Sequence, residues 1–332
     1  MTAFLLDRAR SGDADAFAEL VAPHRRELHV HCYRMLGSFE DADDAVQETL
    51  LAAWRGLATF QARASVRTWL YRVATNTCLN LVRTASRRPQ MTEPLPPAAP
   101  VRTGSETVTW LQPYPDALLD ALPDDAPGRM RASSRTRRSR SPSSPRCSSF
   151  RRAHGQSSSS ATSSASAREV AGTLGSTEEA VAMTLSRARA SLRGQSHPPL
   201  RSPAQAEAAL VRRLAAAFTA HDIDAVVSLL AEDVRISMPP LPAVWAGRPR
   251  AAEFVTEVAF RLVPEARFVQ TRANRQPALA AYSRDAPNGL WRASGLLVIT
   301  LRGDEVAGLT RFESHTLRAF GLPRVLPAGR PP

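Results

Sequence analysis

Cysteine is scarce in this chain: Cys32, Cys78 and Cys147 are the three in 332 residues, widely spaced and odd in number. Such a set offers neither a metal-ligand cluster nor a disulfide framework, and it points to a reducing compartment. A run of about 18 uninterrupted apolar residues, the least a membrane-spanning helix needs, is missing too. The opening "MTAFLLDRARSGDADAF" has too short an apolar stretch for a secretory signal. A cytoplasmic protein without membrane contact is therefore expected. Acidic residues are absent between Asp125 and Glu169. Over 129–166 almost every residue is Ser, Arg, Ala or Pro, too little apolar surface to offset the entropy of ordering, so this tract is predicted to be disordered.

What the chain does have is a hydrophobic content of 43%, enough for cores in two or three domains, and a formal charge of +12 with a pI near 11.1. That charge favours a polyanionic partner, nucleic acid first, although much of it sits in the Ser/Arg tract.

Residues 1–90 read as a compact helical block. In "DADAFAELVAPHRRELHVHCYRMLG", Phe17, Leu20, Val21, Leu28 and Met35 recur at helical spacing, with Pro23 near a first turn or a kink. Ser38 is placed to cap "SFEDADDAVQETLLAAWRGLATF", whose apolar face carries Val46, Leu50 and Trp54. A third helix runs through "SVRTWLYRVATNTCLNLVRTASRR". A Pro-rich and acidic connector over 91–128 includes "WLQPYPDALLDALPDD", and the Ser/Arg tract follows it. Residues 167–195 have a helix-turn-helix pattern, with Gly175 in the turn and Ser176 or Thr177 as the cap of the second helix. From 204 to 323, two helices give way to strand-like runs, which predicts an α+β domain with a curved antiparallel sheet covered by helices. No internal repeat is visible.

The segments "FEDADDAVQETLLAAWRGLATF" and "RASVRTWLYRVATNTCLNLVR" closely resemble region 2 of extracytoplasmic-function sigma factors, and "SAREVAGTLGSTEEAVAMTLSRARASLR" resembles their region 4 helix-turn-helix. The connector and residues 204–323 are similar to those of a subgroup carrying a C-terminal SnoaL-like, NTF2-type domain. The resemblance implies a multidomain fold: an all-α region 2, a remnant α region 4 and an α+β NTF2-like cone. It implies core RNA polymerase and promoter DNA as partners, intramolecular contact between the C-terminal domain and the sigma core, and no cofactor, metal or catalytic residue. Asp41, Asp44, Gln47, Glu48, Trp54 and Arg55 match the polymerase-docking helix. Arg67, Thr68, Trp69, Tyr71, Arg72, Asn76 and Asn80 fall in the segment that contacts and opens the −10 element, where arginines can hold phosphates and aromatics can stack on bases. Trp69 can equally be packed in the helical core. Thr177, Glu178 and Glu179 would approach −35 base edges, with Arg187 and Arg189 on the backbone.

In family members an apolar helical segment precedes this helix-turn-helix. Codons for Val-Leu-Val-Leu-Arg-Asp-Val-Leu-Gly-Phe, read one base out of register, give Ser-Ser-Ser-Ser-Ala-Thr-Ser-Ser-Ala-Ser, the residues at 157–166. The tract at 129–166 is accordingly read as a frame-shift scar that deprives region 4 of packing partners; a dedicated Ser/Arg linker is the rival. In the C-terminal domain, His221, Trp245, Tyr282, Trp291 and His315 are the candidates for a pocket, none in a motif specific enough to define chemistry. Two alternatives stand beside a sigma factor: a degenerate polymerase-binding protein that no longer reads promoters, and an NTF2-type isomerase or cyclase.

Overall fold

The computed structural model describes residues 2–62, 64–85, 111–120, 171, 177–193, 204–241, 243–261, 263–284 and 289–327. The Ser/Arg tract, with the scar read into it, and Cys147 lie outside the described residues. The chain divides into two compact units. Of the described residues, 2–85, 171 and 177–193 fall in the first unit, and 111–120 and 204–327 in the second.

Helices α1 (Thr2–Arg10), α2 (Ala14–Val21), α3 (Arg25–Leu36), α4 (Phe39–Gly56) and α5 (Val66–Ala85) build the first unit. Pro23 does more than kink a helix. It sits in a single 3-10 turn, Ala22–His24, that separates α2 from α3, because proline has no N–H to continue the ladder. Gly37 ends α3 in the left-handed region at φ 80°, with its N–H bonded to the Tyr33 carbonyl at 2.8 Å. Ser38 then caps α4 as the sequence predicts, its Oγ accepting from the Asp41 N–H at 3.1 Å. Leu28, Leu57 and Leu70 are fully buried between these helices. Cys32 on α3 and Cys78 on α5 are buried there too. The hydrogen bond from Cys32 and the burial raise the Cys78 thiol far above its ordinary range, so it is an inert core group.

The second unit opens with the short α6 (Asp116–Asp120). In the first unit, α7 (Glu178–Arg193) is capped by Thr177, whose Oγ1 accepts from Ala180 N at 3.2 Å, and Val181 buries its inner face. The second unit continues with α8 (Ala204–Ala220), α9 (Ile223–Ser228), β1 (Leu230–Ser237), β2 (Val244–Ala246) and α10 (Arg248–Phe254), which runs on as a π turn over Val255–Phe260. A meander follows: β3 (Ala266–Ala273), β4 (Gln276–Arg284), β5 (Trp291–Arg302) and β6 (Glu305–Glu313), with β7 (Val325–Leu326) closing on β5. The strand order is β2-β1-β6-β5-β4-β3. The sheet is not wholly antiparallel: β1 and β6 run parallel, with Ile236 beside Leu309, because the meander returns β6 to β1 in β1's own direction.

The sheet separates two apolar layers. Leu214, Trp245, Phe254, Leu279, Ile299 and Leu309 pack on the helix-covered face. Tyr282, Trp291, Leu296, Val298, Phe312 and Leu317 pack on the other. A bulge interrupts β5, since Ala281 pairs with Gly295 while Tyr282 pairs with Ala293, leaving Ser294 as the extra residue. Trp291, Ala293, Leu296 and Val298 all join the second layer, so Ser294 and Gly295 both fall on the helix-covered face. A Cβ at Gly295 would stand 2.5 Å from the Phe312 carbonyl oxygen. Gly295→Ala should therefore displace one strand against the next and destabilise this unit by about 1–3 kcal/mol, visible as a lowered Tm. An unchanged Tm would mean that the bulge absorbs the methyl.

Candidate functional site

Helix α4 sorts its residues cleanly. Ala42, Ala45, Val46, Thr49 and Ala53 are buried, while Asp41, Asp44, Gln47, Glu48 and Arg55 are exposed. Asp41, Asp44 and Glu48 recur at three- and four-residue intervals, and Arg55 stands seven residues further along the same helix face. Leu51 completes that face and is 56% exposed, an apolar residue in the middle of an acidic ridge. Sequence periodicity missed it, because beside Leu50 it reads as one more core leucine. Trp54 lies elsewhere: it is half-buried, its ring edge-on to Phe17 at 5.1 Å between centroids.

On α5, Thr68, Arg72, Asn76 and Asn80 are all exposed and follow one another at intervals of four, a polar stripe about 18 Å long at the helical rise. Arg67 and Tyr71 stand beside the stripe and are tied inward. Glu27 accepts from Arg67 Nε at 2.8 Å and from the Tyr71 hydroxyl at 3.4 Å, and the Arg67 guanidinium lies over the Tyr71 ring at 5.3 Å. Burial alone would raise the Glu27 carboxyl, but Arg67 and His24 hold it below the ordinary carboxylate range. Burial, reinforced by Glu27, pushes the Tyr71 hydroxyl up to about 12. Glu27 carries no local sequence signal for this role, since its partners lie 40 and 44 residues along the chain. Trp69 stacks on Phe60 at 4.6 Å and 26° between ring planes, half-buried at the edge of the core.

Of the residues expected to read DNA from α7, Glu178, Glu179 and Arg187 are exposed, whereas the Thr177 hydroxyl is engaged in the helix cap. Arg189 belongs to α7, and its side chain lies outside the described residues.

The five aromatic and histidine candidates of the C-terminal domain are not brought into one pocket. Trp245 packs against Phe254 on the helix-covered face. Tyr282 and Trp291 are buried on the opposite face, with the Tyr282 hydroxyl donating to the Pro323 carbonyl at 2.9 Å. His221, at φ 55°, terminates α8 with its Nε2 3.2 Å from the Val263 carbonyl oxygen. His315 is exposed beside Glu313. Among the described residues no three His, Cys, Asp or Glu side chains are grouped to hold a metal, and no helix is long and apolar enough to cross a membrane.

A contact that composition could not foretell joins the connector to this domain. The β3–β4 turn puts two non-glycine residues, Asn274 and Arg275, at φ 53° and 65°. Segment 111–120 takes up the turn's donors: Tyr114 O accepts from Asn274 N at 2.9 Å, and Asp116 Oδ1 from Arg275 N at 2.7 Å. Arg272 Nε approaches the other Asp116 oxygen at 3.3 Å, Arg275 also pairs with Asp120, and Tyr114 is 1% exposed. Burial raises the Asp116 carboxyl above its ordinary range despite these donors.

The Sigma-70 region 2 family matches residues 20–88, and the SnoaL-like domain family matches residues 211–312. The chain is 36% identical over 328 residues to the ECF RNA polymerase sigma factor SigG of Mycobacterium tuberculosis, spanning 95% of this chain and 85% of that protein. It is 36% identical over 78 residues to SigW of Bacillus subtilis, 24% of this chain and 42% of that one. Among solved structures, the crystal structure of the M. tuberculosis extracytoplasmic function sigma factor SigJ superposes with a TM-score of 0.59 at 24% identity, covering 91% of this chain and 98% of the other. At that identity the likeness speaks to fold.

Proposed function

The chain belongs to the extracytoplasmic-function sigma factors, and from that premise we propose how its surfaces divide the work. As a member of that family it binds core RNA polymerase and directs promoter recognition and transcription initiation, and it carries a SnoaL-like C-terminal domain. The ridge of Asp41, Asp44, Gln47, Glu48 and Arg55 docks on the polymerase, with Leu51 as its apolar centre. Thr68, Arg72, Asn76 and Asn80 meet the −10 element, while Arg67 and Tyr71, positioned by Glu27, flank the opened strand. Glu178, Glu179, Arg187 and Arg189 serve the −35 element. The C-terminal domain regulates by holding the connector between regions 2 and 4, rather than by catalysis.

The observation that carries this reading is the segregation of charge within one small unit: an exposed acidic ridge on α4 and an exposed polar stripe on α5. Acidic side chains repel DNA phosphates and suit a basic protein partner, whereas amides and arginines suit nucleic acid. Run-off transcription from a cognate promoter, paired with a polymerase-binding assay, tests the division. Replacing Arg72, Asn76 and Asn80 with Ala together should lower open-complex formation roughly tenfold or more while leaving core-polymerase binding intact. Equal loss of both would remove the α5 stripe from DNA contact. Polymerase binding by the native chain without any run-off product would favour a degenerate polymerase-binding protein.

A further inference from the structure

We infer that the helix-covered face of the C-terminal sheet holds a site for a small carboxylate, anchored by Arg311. The inference does not depend on the polymerase assignment, because the site is built within the second unit alone.

Three features meet at the β5 bulge. Arg311 is largely withdrawn from water, and its guanidinium makes one hydrogen bond among the described residues, from Nη2 to the Ser294 carbonyl at 2.7 Å. Burial lowers its pKa, and Glu313, two residues along the strand, only partly opposes that. The remaining guanidinium donors have no carboxylate bonded to them among the described residues. The Ser294 hydroxyl is buried and likewise has no hydrogen-bond partner among the described residues. The bulge turns it to the same face as Arg311, which lies two residues beyond Leu309 on β6. A buried hydroxyl without a partner costs stability unless something completes it, and the half-buried guanidinium beside it keeps donors to spare.

The floor beneath the guanidinium is low at two positions: Gly295 and Ala281 pair across β5 and β4, so neither adds more than a methyl group, while Glu313 pairs with Gly295 on its other side. An added Cβ at Gly295 would come within 3.4 Å of Arg311 Nε and Cζ. Leu297 pairs with Arg311 and Phe268 pairs with Ala281, giving the floor apolar neighbours on two sides. One cation, one hydroxyl and an apolar surround suit a monocarboxylate with a short hydrocarbon tail. The guanidinium fork binds both carboxylate oxygens, Ser294 donates to one of them, and the tail lies over Leu297 and Phe268. A phosphate dianion is the poorer match, since a single cation would face two charges with Glu313 close by.

The test uses the full chain with butyrate, hexanoate and benzoate as probes and hexanamide and inorganic phosphate as controls, in titration calorimetry. Saturable binding of at least one carboxylate is expected, with none of hexanamide. Arg311→Gln should weaken it on the order of tenfold or more, and Ser294→Ala about threefold. Arg311→Lys, which keeps the charge and loses the fork, should fall between wild type and Arg311→Gln and covers the case in which the glutamine variant does not fold. Failure of all three carboxylates to bind, equal binding of hexanamide, or unchanged affinity in the folded Arg311 variants would overturn the site.

Discussion

Asp44→Lys with Glu48→Lys is expected to weaken binding to core RNA polymerase on the order of 100-fold, with the helical circular dichroism of the chain unchanged. Both residues are exposed on α4, on the side away from the buried Ala45, Val46 and Thr49, so reversal leaves the packing intact and acts on the partner. Turning an attractive charge pair into a repulsive one costs a few kcal/mol when the pair is desolvated at an interface, and two such pairs reach that range. Arg187→Glu with Arg189→Glu should leave polymerase affinity unaltered, because those residues belong to a helix assigned to DNA. Leu51→Asp should cost binding as well, by placing a charge at the apolar centre of the ridge. Equal losses from the α4 and α7 pairs would move the docking surface off α4.

The second large effect concerns the connector. Tyr114→Ala removes a side chain that is 1% exposed and should cost about 3–5 kcal/mol of the docking between segment 111–120 and the β3–β4 turn. Asp116→Lys should release the segment as well, since it would set a third cation against Arg272 and Arg275. Either change should open 111–120 to limited proteolysis. The pH dependence has a definite sign. Docking raises the Asp116 carboxyl above its undocked value, so this contribution is fully present at low pH and is lost as pH rises through the docked pKa. Asp116→Asn, nearly isosteric and uncharged, should abolish that dependence and hold the segment at least as firmly at neutral pH. Protection that is indifferent to pH in the native chain would contradict it.

How much of this could be read from the sequence depends on how local each cause is. The helices of the first unit were legible because amphipathic spacing, the Ser38 cap and the Pro23 break act within a turn or two. The roles proposed for the α4 ridge and the α5 stripe come from the resemblance to region 2, since side-chain type alone would leave both as solvated faces. Trp54 and Trp69 show the limit: an aromatic on a half-exposed helix face serves core and surface alike, and only the facing Phe17 and Phe60 fix where each ring packs. The sheet was harder. A period-two count along β5 puts Trp291 and Leu297 on one face, but the bulge at Ser294 inverts the parity and sends them to opposite layers. The same bulge puts Ser294 on the face that carries Arg311, a juxtaposition that alternation along the strand does not predict. The parallel β1–β6 pair and the connector contact join residues more than 70 and 150 positions apart, distances at which no local pattern operates.

We propose that this sigma factor docks on core RNA polymerase through its α4 ridge. The most direct measurement is size-exclusion chromatography of the full chain with core RNA polymerase, native and as the Asp44→Lys, Glu48→Lys variant. A native chain that elutes with the polymerase in equimolar amount, and a variant that elutes alone, is the predicted result; a native chain that never enters the polymerase peak would contradict it.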